Sequence, residues 1–235
     1  MYIYGKNVCR EKISTEGNIN RAFISKNFKD QELINSLKNK NIRINFVDNK
    51  ILDNKVTGLH QGIILEVDEF KTTTIEEFFE SIKNKNNPKV VMLDHLEDPH
   101  NFGSIIRTSE ALGIDGIIIP NDRAVGITST VIKTSAGAIE HIKIIRASNL
   151  QVAIKKLKEH GFWIIGTDMK GEDYRKIDYN MPTCLIIGNE GKGMSKVIHN
   201  NCDFIATIPM SGQINSLNAS VACGIILSRM VSDEG

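Results

Sequence analysis

The sequence has no long apolar run. None reaches the ~18 residues that a membrane span needs, and the N-terminus carries no apolar signal-peptide core. The expectation is a soluble cytoplasmic protein with no membrane partner. Cysteine is sparse too. Cys9, Cys184, Cys202 and Cys223 stand far apart and form no C-x-x-C pair, which argues against a zinc knuckle or a redox pair and suits a reducing compartment. Charge of one sign is not in excess. The net charge is +1, so the total says nothing about partners, although a near-neutral chain can still carry a basic face. The chain also lacks the G-x-x-x-x-G-K-[ST] phosphate loop and the G-x-G-x-x-G dinucleotide fingerprint, which weighs against a nucleotide-dependent oxidoreductase. There is no internal repeat.

What is there is an ordinary globular composition, with 41% apolar and 24% charged residues in 235. That length holds one large domain, or a small one plus a medium one. In residues 1–70, Tyr2–Gly5, Ile42–Phe46 and Gly62–Val67 read as strands. Asp30–Leu37 reads as a short helix with Leu33, Ile34 and Leu37 on one face. A small α/β domain is expected there. Residues 71–88 combine a short amphipathic stretch (Ile75, Phe78, Phe79, Ile82) with a polar run ending at Pro88, and the linker is placed here. From Lys89 to the end, short β-branched runs alternate with helical patterns. That rhythm predicts a mostly parallel sheet covered on both faces. Strands are expected at Val90–Leu93, Gly116–Ile119, Ile142–Ile145, Phe162–Gly166, Cys184–Ile187 and Phe204–Ile208. Helices are expected at Asn101–Leu112, Thr128–Ala138, Leu150–His160 and Asn218–Val231.

Three segments rich in Gly, Asn, Ser and charge follow strands of this second unit, where α/β proteins bind ligands. The first, Asp94–Arg107, holds Asp94, His95, Glu97, Asp98 and His100 within seven residues. No second cluster has matching spacing, so no metal site is expected. Asp98 and Pro99 suit a helix start. Arg107 shares a face with Gly103 and Glu110, and helix geometry alone leaves both an ion pair with Glu110 and a functional role open. In the second, Gly188–Ser195, glycines at 188, 191 and 193 permit a sharp turn and close approach to a ligand. The third, Ile208–Ser220, carries no charge at all. An uncharged loop of Ser, Gly, Asn and Gln is expected to be buried, with its polar groups satisfied by each other or by a ligand. Ser216 or Asn218 is a candidate cap for the last helix.

In this order, the three segments resemble the motifs of the SpoU (TrmH-like) branch of the SPOUT methyltransferases, over the C-terminal ~145 residues. Residues 1–70 more loosely resemble the substrate-binding domain that precedes the catalytic domain in many members, through Gly5–Val8 and His60–Ile63. The nearest subgroup is the RlmB-like enzymes, which methylate a guanosine ribose in large-subunit (23S) ribosomal RNA. The resemblance implies a deep trefoil knot in residues 89–235 and a homodimer formed through that domain. It also implies transfer of a methyl group from S-adenosyl-L-methionine to a ribose 2′-hydroxyl of RNA. Carried over by position, Asn101, Arg107, Glu190, Ser216 and Asn218 are the catalytic-region residues, and Thr167, Gly188, Ile208 and Leu217 contact the cofactor. Lys26, Lys29, Lys38, Lys40, Arg43, Lys50 and Lys55 form a basic set that fits RNA phosphates in that context and a solvated face otherwise. A sister enzyme acting on tRNA and a non-catalytic ribosome-assembly factor are the competing readings.

Overall fold

The computed structural model describes residues 1–15, 18–122, 124–213 and 216–232. The chain builds two sheets. In the first, β1 (Tyr2–Tyr4), β2 (Ile19–Ser25), β3 (Ile44–Val47) and β4 (Ile63–Val67) take the order β1-β4-β2-β3. β2 and β3 run parallel, and β4 is antiparallel to both of its neighbours. Helices α1 (Lys6–Ser14) and α2 (Gln31–Asn39) contribute Val8, Cys9, Leu33 and Leu37 to the core that Ile24, Ile63 and Leu65 share. Asp30 starts α2 by accepting the Leu33 N–H at 3.2 Å, a cap its sequence position predicts. On the other side Leu52, from the short α3 (Asn49–Asp53), packs with Tyr4, Phe23 and Ile64. The sequence patterns show β1, α2, β3 and β4 but not α1 or β2. Lys, Asn, Arg and Glu interrupt the apolar positions of α1, and Asn20 and Arg21 follow Ile19 at the start of β2.

The segment expected to be a linker carries α4 (Ile75–Ile82), started by a Thr74–Glu77 capping box. Its apolar face is not free: Ile75, Phe78 and Ile82 are core residues of the second sheet. That sheet runs β5 (Lys89–Asp94), β6 (Gly116–Pro120), β7 (Lys143–Ala147), β8 (Trp163–Asp173), β9 (Thr183–Gly188) and β10 (Phe204–Thr207) in the spatial order β10-β8-β9-β5-β6-β7. All its pairs are parallel. Successive residues of a strand face opposite sides. Accordingly Val91 and Leu93 join the core under α5 (Pro99–Ala111) and α9 (Ala219–Ser232). Val90 and Met92 join the core under α4, α7 (Leu150–Glu159) and α8 (Lys196–His199). The uninterrupted apolar runs of β5, β6 and β9 follow from burial on both faces. The stretch 128–138 is shorter as a helix than its pattern predicts: α6 spans Ser129–Thr134, and a 3-10 turn follows at Ala138–Glu140. Ala136, at φ 53°, and Gly137, at φ 98°, break the run.

That turn is where the two units meet. Lys12 pairs with Glu140 at 2.9 Å, each side chain only 12% exposed. Glu11 pairs with His141, and the Lys133 ammonium lies 4.8 Å from the centroid of the Tyr4 ring. A Cβ on Gly137 would lie 2.5 Å from Cγ of Glu11. Gly137→Ala combines a left-handed backbone with that clash and is expected to destabilise the protein by about 1–3 kcal/mol. A thermal unfolding midpoint equal to the wild type would contradict this packing.

All four cysteines are free. Burial pushes the Cys202 and Cys223 thiols up to about 12, so at neutral pH they are packing groups rather than nucleophiles.

Candidate active site

The chain runs outward through β5, β6 and β7, then crosses β5 to lay down β8, β9 and β10 on the other side. Such a reversal leaves a crevice at the carboxyl ends of the strands. A cavity of about 380 Å³ opens there, at the ends of β8, β9 and β10. The pairing of β8 with β10 shifts register beside it. β10 advances by one residue from Ile205 to Ala206 while its β8 partner jumps from Gly166 to Glu172. The stretch 167–171 is thereby released from the ladder, and Thr167, Asp168 and Met169 line the cavity. Thr167 is held by its hydroxyl donating to the Ile186 carbonyl at 2.9 Å.

The Gly188–Ser195 segment forms the opposite wall. Asn189 and Gly193 bridge back to one another, and the Asn189 side-chain oxygen accepts the N–H groups of Gly191 and Lys192 at 3.0 and 3.1 Å. Gly188 is required by close approach: a Cβ there would lie 2.4 Å from the Gly193 carbonyl carbon and the Met194 nitrogen. The loop is pinned to the end of β5 at both of its ends. The Asn189 amide donates to the His95 carbonyl at 2.9 Å. The Ser195 N–H donates to the Asp94 carboxylate at 2.7 Å, whose other oxygen sits 2.6 Å from His95 Nδ1. Asp94 is 1% exposed, so its charge is spent on this anchor. The other acidic and histidine groups of the first segment disperse. Asp98 caps α5 through the His100 N–H at 2.9 Å.

One chain of hydrogen bonds joins the three segments. The Asn101 amide donates to Glu190 Oε1 at 3.0 Å, and its oxygen accepts from the Asn218 amide at 2.9 Å. The Asn218 oxygen accepts the N–H groups of Ser220 and Val221 at 2.9 and 3.3 Å, which starts α9. Asn218 therefore caps a helix and links two loops with one side chain. Asn101 is buried, with both ends of its amide satisfied.

Of the residues that the sequence marks as candidates, Thr167, Gly188, Ile208 and Leu217 all line the cavity, together with Glu190 and Ser216. Asn101 and Asn218 tie into Glu190. Arg107 does not join them within one chain: it is exposed on α5 and makes no hydrogen bond or ion pair among the described residues, with Glu110 or otherwise. The third loop is not buried as its composition predicts. Residues 209–213 and 216–218 are exposed, with Met210 at 40% and Leu217 at 41%. Of these residues, Met210, Ser216 and Leu217 line the cavity rather than a core. Ile214 and Asn215 lie outside the described residues. Residues 26, 29, 38, 40, 43 and 50 of the basic set are exposed, whereas Lys55 is partly covered, with its ammonium 4.1 Å from the Phe23 ring centroid. Sequence reasoning misses the anchoring role of Asp94 and Asn189 and the cavity contacts of Asp168 and Met169. An acid ending a fully apolar strand is the available signal for Asp94. Nothing local announces the released stretch of β8.

A parallel sheet with loops cradling a cavity at its reversal point defines an α/β protein built to hold a small organic group. The chain belongs to the SpoU rRNA methylase family, whose model matches residues 88–228. A second family model, described as RNA 2′-O ribose methyltransferase substrate binding, matches residues 2–73. The putative TrmH family tRNA/rRNA methyltransferase YacO of Bacillus subtilis is 42% identical over 231 residues, covering 96% of this chain and 93% of its own length. A putative TrmH family tRNA/rRNA methyltransferase of Staphylococcus haemolyticus is 40% identical over 230 residues, covering 96% and 92%. In fold, the chain is similar to the SpoU methyltransferase AviRb of Streptomyces viridochromogenes in complex with AdoMet. That likeness has a TM-score of 0.87 at 21% identity and covers 100% of this chain and 90% of that one. It is also similar to an AdoMet-bound rRNA methyltransferase of Sinorhizobium meliloti, with a TM-score of 0.81 at 24% identity over 99% and 87% of the two chains. As a family member, the chain is an RNA methyltransferase with S-adenosylmethionine as its cofactor. The cavity fits that group: Gly188 lets the loop fold tightly on itself along one wall, and the walls mix apolar side chains with a few polar ones.

Glu190 is the joint of the hydrogen-bond chain and also receives the Asp98 N–H at 3.4 Å. Glu190→Gln removes the charge that strengthens the Asn101 bond, a difference worth about 1–2 kcal/mol. Methyl transfer is expected to fall roughly tenfold. A rate and cofactor affinity both equal to the wild type would remove Glu190 from the site.

Proposed function

We propose that the protein methylates a ribose 2′-hydroxyl of RNA, and that its target is a guanosine of large-subunit (23S) ribosomal RNA. The observation that carries this reading is the Glu190–Asn101–Asn218 chain at the edge of the cofactor cavity. In support, it holds Glu190, which lines the cavity, against the starts of α5 and α9, beside Ser216 and Leu217. S-adenosylmethionine, when bound, supplies a methyl group already activated on a sulfonium. Thr167, Gly188, Ile208 and Leu217 hold it, largely through backbone.

The protein's own task is then positioning and handling of one proton. Ser216 and Asn218 orient the ribose at the start of α9. Arg107 grips an RNA phosphate through its planar fork and aligns the hydroxyl. A guanidinium gives up its proton only above pH ~12, so in this reading the hydroxyl proton leaves to water. Arg107 reaches a site when two chains pair through the α5–α9 face. In support, that face leaves the apolar side chain of Val221 50% exposed on α9. We infer a homodimer, a knotted path for the residues around the cavity, and a cytoplasmic setting. No helix among the described residues is long and apolar enough to cross a membrane.

Residues 1–70 act as the RNA-gripping unit, residues 71–88 as the connection and residues 89–235 as the catalytic unit. Phosphate contacts by the exposed basic residues of the first unit would make RNA affinity fall steeply with salt. The test is incubation with labelled S-adenosylmethionine and separate pools of 23S rRNA and tRNA. Label confined to 23S rRNA is expected. Label confined to tRNA assigns the sister activity, and label on neither pool leaves an assembly factor.

A further inference from the structure

A second cavity, also of about 380 Å³, lies at the carboxyl ends of β5, β6 and β7, on the other side of the Asp94 anchor. Its floor is apolar: Pro120, Leu150 and Ile198 are buried there. Its rim is polar, with His95, Asp122, Gln151 and Ser195. The linings of the two cavities are joined by hydrogen bonds. Ser195, on the rim of the second, closes the glycine-rich loop of the first and is the residue held by Asp94. His95 lines the second cavity while its carbonyl pins Asn189 beside the first.

The chemistry of the rim selects among ligands. No Lys or Arg lines this cavity among the described residues. The N–H groups at the start of α7 do not await an anion either, because the Asn149 side chain already accepts those of Gln151 and Val152 at 2.8 and 3.3 Å. Asp122 would repel a phosphate. An apolar floor with a carboxylate, an imidazole and a carboxamide around it instead suits a flat heteroaromatic ring read along its edge. A carboxylate accepts best from two adjacent N–H donors, which among RNA bases is the Watson–Crick edge of guanine. Building on the reading above, we propose that this cavity holds an unpaired base of the RNA substrate, guanine by preference, close in the chain to the ribose that is methylated. Asp122 and Gln151 read its edge. Engagement there is felt at the cofactor loop through Ser195 and His95.

The test uses the full-length protein and 23S rRNA fragments carrying 6-thioguanosine. After ultraviolet irradiation, cross-linked peptides are identified by mass spectrometry, without need of turnover. The expected result is cross-links to the peptides that carry His95 and Gln151. Gln151→Trp, which fills the cavity, should abolish them and weaken RNA binding about tenfold, the effect of losing one base contact. Binding of S-adenosylmethionine should stay unchanged. Asp122→Asn, an exposed near-isosteric change, should weaken RNA binding in the same direction if the tryptophan variant fails to fold. Cross-links confined to other surfaces, or both variants binding RNA like the wild type, would overturn the proposal. So would free guanosine displacing the cross-links at micromolar concentration, which would make the ligand a free nucleoside. A wild type that cross-links here yet transfers no methyl group would refute the methyltransfer reading and leave this one standing.

Discussion

Replacement of Arg107 by lysine is expected to lower methyl transfer by roughly two orders of magnitude, about 2.7 kcal/mol of transition-state stabilisation. S-adenosylmethionine binding should be untouched. Lysine keeps the charge and loses the planar, two-pronged donor set. The position of Arg107 is the reason to expect so large an effect. It is exposed on α5, engages no described partner, and shares its helix with the buried Asn101. An exposed arginine with no described partner adds little to the fold, so a large effect would have to come from the proposed contact with RNA. Single-turnover transfer with saturating cofactor is the measurement, because it separates the chemical step from product release. A near-normal rate in the lysine variant would sink the positioning role. A loss of cofactor affinity would move Arg107 into the cofactor site instead.

Gly188→Ala should be the most damaging single change to the cofactor cavity. The added methyl would sit 2.4 Å from the backbone of Gly193 and Met194, and backbone atoms cannot swing aside as a long side chain can. The loop would have to move. It is tied by Asn189 to His95 and by Ser195 to the buried Asp94, so movement breaks those bonds. A destabilisation of about 2–4 kcal/mol is expected, with cofactor affinity reduced at least tenfold, as equilibrium binding and thermal unfolding would show. Gly191→Ala is the control, since a Cβ there would meet only Asn189 Oδ1 at 3.7 Å. If the two substitutions behaved alike, close approach at Gly188 would not be what shapes the cavity.

Much of the second unit is legible in the sequence because both faces of its sheet are buried. Runs such as Val90–Leu93 and Cys184–Ile187 are continuous and apolar, and signals of that kind survive without any structure. The first unit is harder to read. Asn20 and Arg21 interrupt the start of β2 after Ile19, and the polar positions of α1 mask a helix whose Val8, Cys9 and Ile13 are buried. The three site segments are visible as Gly-, Asn- and Ser-rich ends of strands, but their connection is not. That Asn101 bonds both Glu190 and Asn218 depends on the placement of residues 89 and 117 positions away. The third loop shows the limit of composition. Its lack of charge suggests burial, yet Met210 and Leu217 are exposed at the mouth of the cavity. Composition reports that a surface avoids charge, not what eventually covers it. Asp94 is one of several acidic residues in a short stretch until the fold shows it to be buried and bonded to Ser195.

The central claim is that the methyl group goes to a ribose oxygen. It is tested most directly by alkaline hydrolysis of 23S rRNA methylated with labelled S-adenosylmethionine. A 2′-O-methyl group removes the neighbouring hydroxyl that cleaves the chain, so the label should be recovered in an alkali-resistant dinucleotide whose first residue is guanosine. Label released in mononucleotides would place the methyl group on a base and contradict the account.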